Sequence, residues 1–111
     1  MLKKITEEAR MLESSTILQL FAYYLSEYDM KAVEALGFSN RSEAFTNIGK
    51  AFGRDNHYLK LRRDEFDVVT SSHRNGWRNR KPTVRILEFS EYFRKLLFVQ
   101  LTEIAQALLQ G

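Results

Sequence analysis

The chain has no cysteine, a single proline and five glycines among its 111 residues. Without cysteine there is no disulfide, no thiol nucleophile and no cysteine-ligated zinc, and the composition fits a reducing compartment. So little proline and glycine leaves scant material for the tight turns of a β-rich fold. No run of about 18 apolar residues occurs, which excludes a membrane-spanning helix. The opening Met1-Leu2-Lys3-Lys4-Ile5-Thr6-Glu7-Glu8 turns acidic where a secretory leader would place its apolar stretch, so a cytoplasmic protein is expected. With 44% hydrophobic and 28% charged residues, the chain reads as one soluble domain spanning 1–111. That length buries a single core without metal or disulfide staples.

Charge is unevenly placed. The net charge is +3, but residues 1–53 carry six basic and seven acidic side chains, whereas residues 54–111 carry eleven and seven. Between Arg74 and Arg85, five basic residues (Arg74, Arg78, Arg80, Lys81, Arg85) meet no acid. A localised surplus of this kind points to a partner more directly than the total does.

Apolar spacing predicts an all-α bundle of five or six helices. Ile5, Ala9 and Leu12 form a short stripe, followed by Ser14 and Ser15 as candidate N-caps. Ile17, Leu20, Phe21, Tyr24, Leu25 and Tyr28 recur at three- and four-residue steps. Asp29 caps a short helix from Met30 to Leu36, which Gly37 ends. Ser42 begins the next, with Ala44, Phe45, Ile48, Ala51 and Phe52 inward and Gly53 as its stop. Asp55 or Asn56 then caps a helix bearing Tyr58, Leu59, Leu61 and Phe66. Residues 71–82 form a basic loop around Trp77, and Pro82 suits the first position of a long apolar helix over 83–110, with a break near Ser90.

Residues 42–67 have the rhythm of a helix-turn-helix. A helix with a small inner residue (Gly49 or Ala51) ends in glycine, a polar triplet follows, and a second helix opens with Asn56, His57 and Tyr58. In DNA-binding versions the leading residues of that second helix meet base edges in the major groove. Asn56 has the donor–acceptor pair for adenine, and Lys60, Arg62 and Arg63 have the reach for bases or phosphates. The same pattern also builds ordinary helical bundles, with Asp64, Glu65 and Asp67 pairing the arginines on a solvated face. The loop adds Arg74, Arg78, Arg80 and Lys81 as phosphate contacts. Trp77 either stacks on a base or pins the loop to the core.

The run from Phe52 to Asp67, then His73-Arg74-Asn75-Gly76-Trp77 and Arg85-Ile86-Leu87, resembles a helical module that accompanies HNH nuclease domains in restriction-type endonucleases. The chain keeps the Gly53-Arg54 and Arg63-Asp64-Glu65-Phe66-Asp67 elements of that pattern, and has Asn75 where the pattern has lysine. The resemblance covers residues 41–90 and implies DNA binding or targeting rather than catalysis. His57 and His73 are the only histidines; both stand in segments read as surface, His73 with Asn75 is a fragment of an HNH motif without a partner histidine, and no Gly-rich phosphate loop or nucleophile–base pair is present. Asp64, Glu65 and Asp67 have the chemistry for Mg²⁺, but acids at the C-terminal end of a helix oppose its dipole and are usually solvated. The expectation is therefore a non-enzyme without metal or cofactor.

Apolar residues cover more than one face of the last helix. This makes it either a central core element or a subunit interface through Phe93, Leu97, Leu101, Ile104 and Leu108, for which a twofold homodimer is the default. Two functions follow. The first is a duplex DNA-binding module, acting as a regulator or as the targeting part of a restriction or phage system. The second is a small phage or bacterial protein that binds and inhibits a protein partner such as a host defence complex.

Overall fold

The computed structural model describes residues 14–70 and 81–110. Six α-helices fill them: α1 (Ser14–Tyr28), α2 (Met30–Ala35), α3 (Arg41–Ala51), α4 (Asn56–Phe66), α5 (Val84–Phe93) and α6 (Phe98–Gln110). The protein is all-α. The stripe of Ile5, Ala9 and Leu12 lies outside the described residues, as does the loop segment 71–80 with Trp77. Among the described residues no helix is long and apolar enough to cross a membrane.

The central element is α1, not the C-terminal helix. Every residue from Ile17 to Ser26 is buried, and all but Gln19 and Ser26 are apolar or aromatic, as expected of a helix enclosed on every side. Its side chains fan out to four neighbours. Phe21 meets Phe52 just past α3, with ring centroids 5.6 Å apart. Tyr23 sits edge-on to Phe66 of α4 at 5.8 Å and against Phe93 of α5 at 5.7 Å. Tyr24 stacks on Phe98 of α6 at 5.8 Å, and its hydroxyl lies 2.5 Å from Thr102 Oγ1. Aromatic contacts of this kind add about 0.5–1.5 kcal/mol each beyond the area they bury. Burial also pushes the Tyr23 phenol up to about 12, with Glu27 and Tyr28 adding to the effect and Arg94 opposing it.

Helix boundaries follow the chemistry of their ends. Asn40, two residues before the predicted start at Ser42, caps α3 by accepting a hydrogen bond from the Glu43 amide at 2.8 Å. Thr83 caps α5 through the Ile86 amide at 3.2 Å, so Pro82 precedes the cap and does not open the helix. Gly37 ends α2 as expected, in a Schellman turn: Phe38 N–H reaches Val33 O and Gly37 N–H reaches Glu34 O. Asp29 holds the predicted N-cap position of α2, but its carboxylate makes no capping bond. Instead it takes two hydrogen bonds from Arg41, at 2.7 and 2.9 Å. Ser14 and Ser15, expected ahead of the first helix, are helical.

The expected long helix over 83–110 is two helices, and the break falls at Arg94–Leu97 rather than near Ser90. No glycine or proline marks it. The second helix starts where Gln100, three residues along, turns its side-chain oxygen back onto the Leu97 amide at 2.8 Å, the reciprocal half of a capping box. The turn lets α5 direct Ile86 and Phe93 inward and α6 direct Leu101, Ile104, Ala105 and Leu108 inward. The proposed subunit interface is corrected accordingly. Phe93, Leu101, Ile104 and Leu108 are buried in the chain's own core, and Leu97, out of register at the turn, is 69% exposed.

Candidate nucleic-acid interface

The α3–α4 connection is set by two glycines. Gly53 adopts φ +77°, a left-handed conformation that glycine reaches at no steric cost. It closes α3 in a second Schellman turn, with Gly53 N–H on Lys50 O at 3.2 Å and Arg54 N–H on Gly49 O at 2.8 Å. Gly49, four residues earlier, is the small inner residue; Ala51 is exposed. A Cβ on Gly49 would lie 2.7 Å from the backbone oxygen of Asp55 and 3.2 Å from that of Arg54. The turn therefore packs its backbone directly onto α3. Asp55 then caps α4, accepting from the Tyr58 amide at 3.0 Å.

The first two turns of α4 present Asn56, His57 and Lys60 to solvent. Tyr58 is half-buried and carries two guanidinium groups against its ring, Arg54 at 4.6 Å and Arg62 at 5.1 Å from the centroid. Arg54 is exposed, as is Lys50 on α3. From Thr46 to Arg62 the chain has four Lys or Arg and one acid, Asp55, and that acid is engaged in capping. Arg54 and Lys50 were absent from the sequence-based candidates. Arg54 lies outside either helix, and only the Gly53 turn brings it to the Tyr58 ring.

Arg62 and Arg63, adjacent in sequence, have opposite fates. Arg62 remains about one-third exposed and pairs with Glu65 at 2.6 Å. Arg63 is buried, so its expected role in docking is corrected: its guanidinium faces inward. Its Nε donates to Asp64 Oδ1 at 2.9 Å, lies 4.0 Å from Asp67 Oδ2, and the group covers the Phe45 ring at 5.0 Å. Asp67 in turn accepts from Ser26 Oγ of α1 at 2.6 Å, and the same hydroxyl lies 2.6 Å from Thr70 Oγ1. The acids at this helix end are thus not a solvated cluster. Asp64 and Asp67 belong to a buried network, and among the described residues no group of three His, Asp or Glu side chains could hold a metal.

Of the basic loop, Arg74, Arg78 and Arg80 lie outside the described residues, whereas Lys81 is exposed. Lys81, Pro82 and Thr83 line a small cleft together with Glu65, Val68 and Ile86. The end of the loop is thereby placed beside the C-terminal half of α4. Compared with protein-family models, curated proteins and solved structures, the chain matches none of them.

Proposed function

We propose that the protein binds duplex DNA through the exposed side of α3, the Gly53 turn and α4, in the manner of a helix-turn-helix. The observation that carries this reading is the leading half of α4. Asn56, His57 and Lys60 are solvent-facing there, beside the Arg54–Tyr58–Arg62 cluster and Lys50; of the acids nearby, Asp55 is used as a cap and Glu65 is paired with Arg62. Asn56 is the candidate for reading a base edge. Lys50, Arg54, Lys60 and Arg62 serve the phosphates, with Lys81 and, by sequence, Arg74, Arg78 and Arg80 extending the contact. In cellular terms such a module acts as a regulator or as the targeting part of a restriction or phage system, the setting implied by the resemblance to HNH-associated modules.

The test is anisotropy of a labelled mixed-sequence duplex between about 50 and about 200 mM salt. Affinity should fall steeply with salt, and Arg54→Ala/Lys60→Ala/Arg62→Ala should flatten the slope by up to about 3, at about 0.9 per lost phosphate contact. An unchanged slope in that variant refutes the assignment. A second reading, binding to a protein partner, is favoured by Val84, Leu87, Tyr92, Leu97 and Val99, which stand between 44% and 71% exposed on α5, the following turn and the start of α6. Binding of that type would resist salt.

A further inference from the structure

We propose that Glu65 is a built-in counter-ion of Arg62 that competes with nucleic-acid phosphate for its guanidinium and so holds down the unspecific affinity of this surface. The inference rests on the polyanion-binding reading above and names a residue that tunes it. Arg62 Nε and Glu65 Oε1 lie 2.6 Å apart, one helical turn from each other. Both atoms are shielded from solvent, yet they form no hydrogen bond, so the N–H is not aimed along the contact. The pair is held by charge at short range while a donor is left poorly satisfied. In-line, charge-assisted bonds are stronger than misaligned ones, and a phosphate approaching the exposed remainder of the Arg62 side chain can make them.

Placement strengthens the case. Of the two acids on α4, Asp64 is committed to the buried Arg63. Glu65 alone faces the cationic side, and it also lines the cleft with Lys81. Its carboxylate therefore adjoins both cationic elements invoked for DNA, the docking helix and the end of the basic loop. A negative charge at that junction opposes a phosphate backbone and substitutes for it when none is bound.

The experiment measures binding of duplex DNA and of inorganic polyphosphate by wild type, Glu65→Gln, Arg62→Gln and the double variant. Circular dichroism confirms the helical fold of each. Glu65→Gln is expected to tighten both ligands about two- to fivefold, the range that a partly exposed ion pair is worth. It should also steepen the salt slope by about 0.9, one phosphate contact. In the Arg62→Gln background the gain should vanish. An equal gain in both backgrounds overturns the proposal in favour of a general field effect, and a loss of affinity overturns it in favour of Glu65 as a holder of Arg62. If polyphosphate shows the Arg62-dependent gain and DNA is not bound, the DNA reading fails and the counter-ion role stands. If no form binds either polyanion at about 50 mM salt, both fall.

Discussion

Substituting Arg63 by alanine should unfold the protein more readily than any other single change to a charged residue of α4. The side chains of Arg63, Asp64 and Asp67 are 8%, 10% and 1% exposed, so the guanidinium is the positive centre of a buried cluster holding two carboxylates. Removing one partner of a buried ionic network costs about 3–5 kcal/mol, because the remaining charge is left without solvent or counter-ion. The loss of the stem from the Phe45 ring adds to this. A domain of this size has about 5–15 kcal/mol of total stability, and at about 4 °C per kcal/mol the melting temperature should drop by roughly 12–20 °C. Arg62→Ala provides the contrast: its pair with Glu65 is partly exposed and worth under about 1 kcal/mol. Urea titration followed by far-UV circular dichroism reads both variants. Replacing Arg63, Asp64 and Asp67 together by apolar residues of similar size should recover much of the loss, since the desolvation penalty leaves with the charges. A loss below about 1 kcal/mol for Arg63→Ala would refute the buried-network reasoning and return Arg63 to the candidate binding residues.

Two further outcomes follow from the packing. Gly49→Ala should destabilise by about 1–3 kcal/mol in the same urea titration, although alanine is the better helix former by about 1 kcal/mol, because its Cβ would press on the Asp55 carbonyl oxygen at 2.7 Å; a stabilised variant would show that the turn is not seated on α3. Tyr23, held neutral by burial with its pKa raised to about 12 from 10.0, binds its proton more tightly folded than unfolded. Its contribution is complete below the unfolded value and drains away as pH climbs from there toward the folded one. Stability should therefore decline on the alkaline side, and Tyr23→Phe should flatten that decline; an unchanged alkaline limb in the phenylalanine variant contradicts it.

The helical punctuation was legible in the sequence wherever a specific residue does the work. Gly37 and Gly53 stop helices because their backbone conformations favour glycine, and Asp55 caps α4 because a short carboxylate reaches the amide three residues on. The break at Arg94–Leu97 was not legible, since it is made by Gln100 turning back on an amide and carries none of the usual breakers. The spacing Phe93, Leu97, Leu101, Ile104, Leu108 is faultlessly helical on paper. Only the turn shows that Leu97 does not share a face with the others. Burial of charge was equally hidden. Arg62 and Arg63 are indistinguishable in one dimension, and what separates them is the 100° step of the helix together with Phe45 and Ser26, supplied by α3 and α1.

That separation bears on how the Arg63-Asp64-Glu65-Phe66-Asp67 run is understood. Four of its five residues are buried: Arg63, Asp64 and Asp67 in the ionic network and Phe66 in the aromatic cluster with Tyr23. The run thus owes its composition to fixing the end of α4 against α1. Ser26 is hydrogen-bonded to Asp67 and lies three residues past Tyr23 on the same helix, so the polar and aromatic contacts act at one place on α1. A shift of α4 by a single residue would break both at once, since Phe66 and Asp67 could no longer meet Tyr23 and Ser26 together. The leading half of α4 is consequently held in a fixed orientation by its trailing half, and the residues free to meet a partner, Asn56, His57 and Lys60, are those the lock does not use. Stability and proposed recognition occupy opposite ends of one eleven-residue helix, so substitutions at the leading end should alter binding while leaving the melting transition in place.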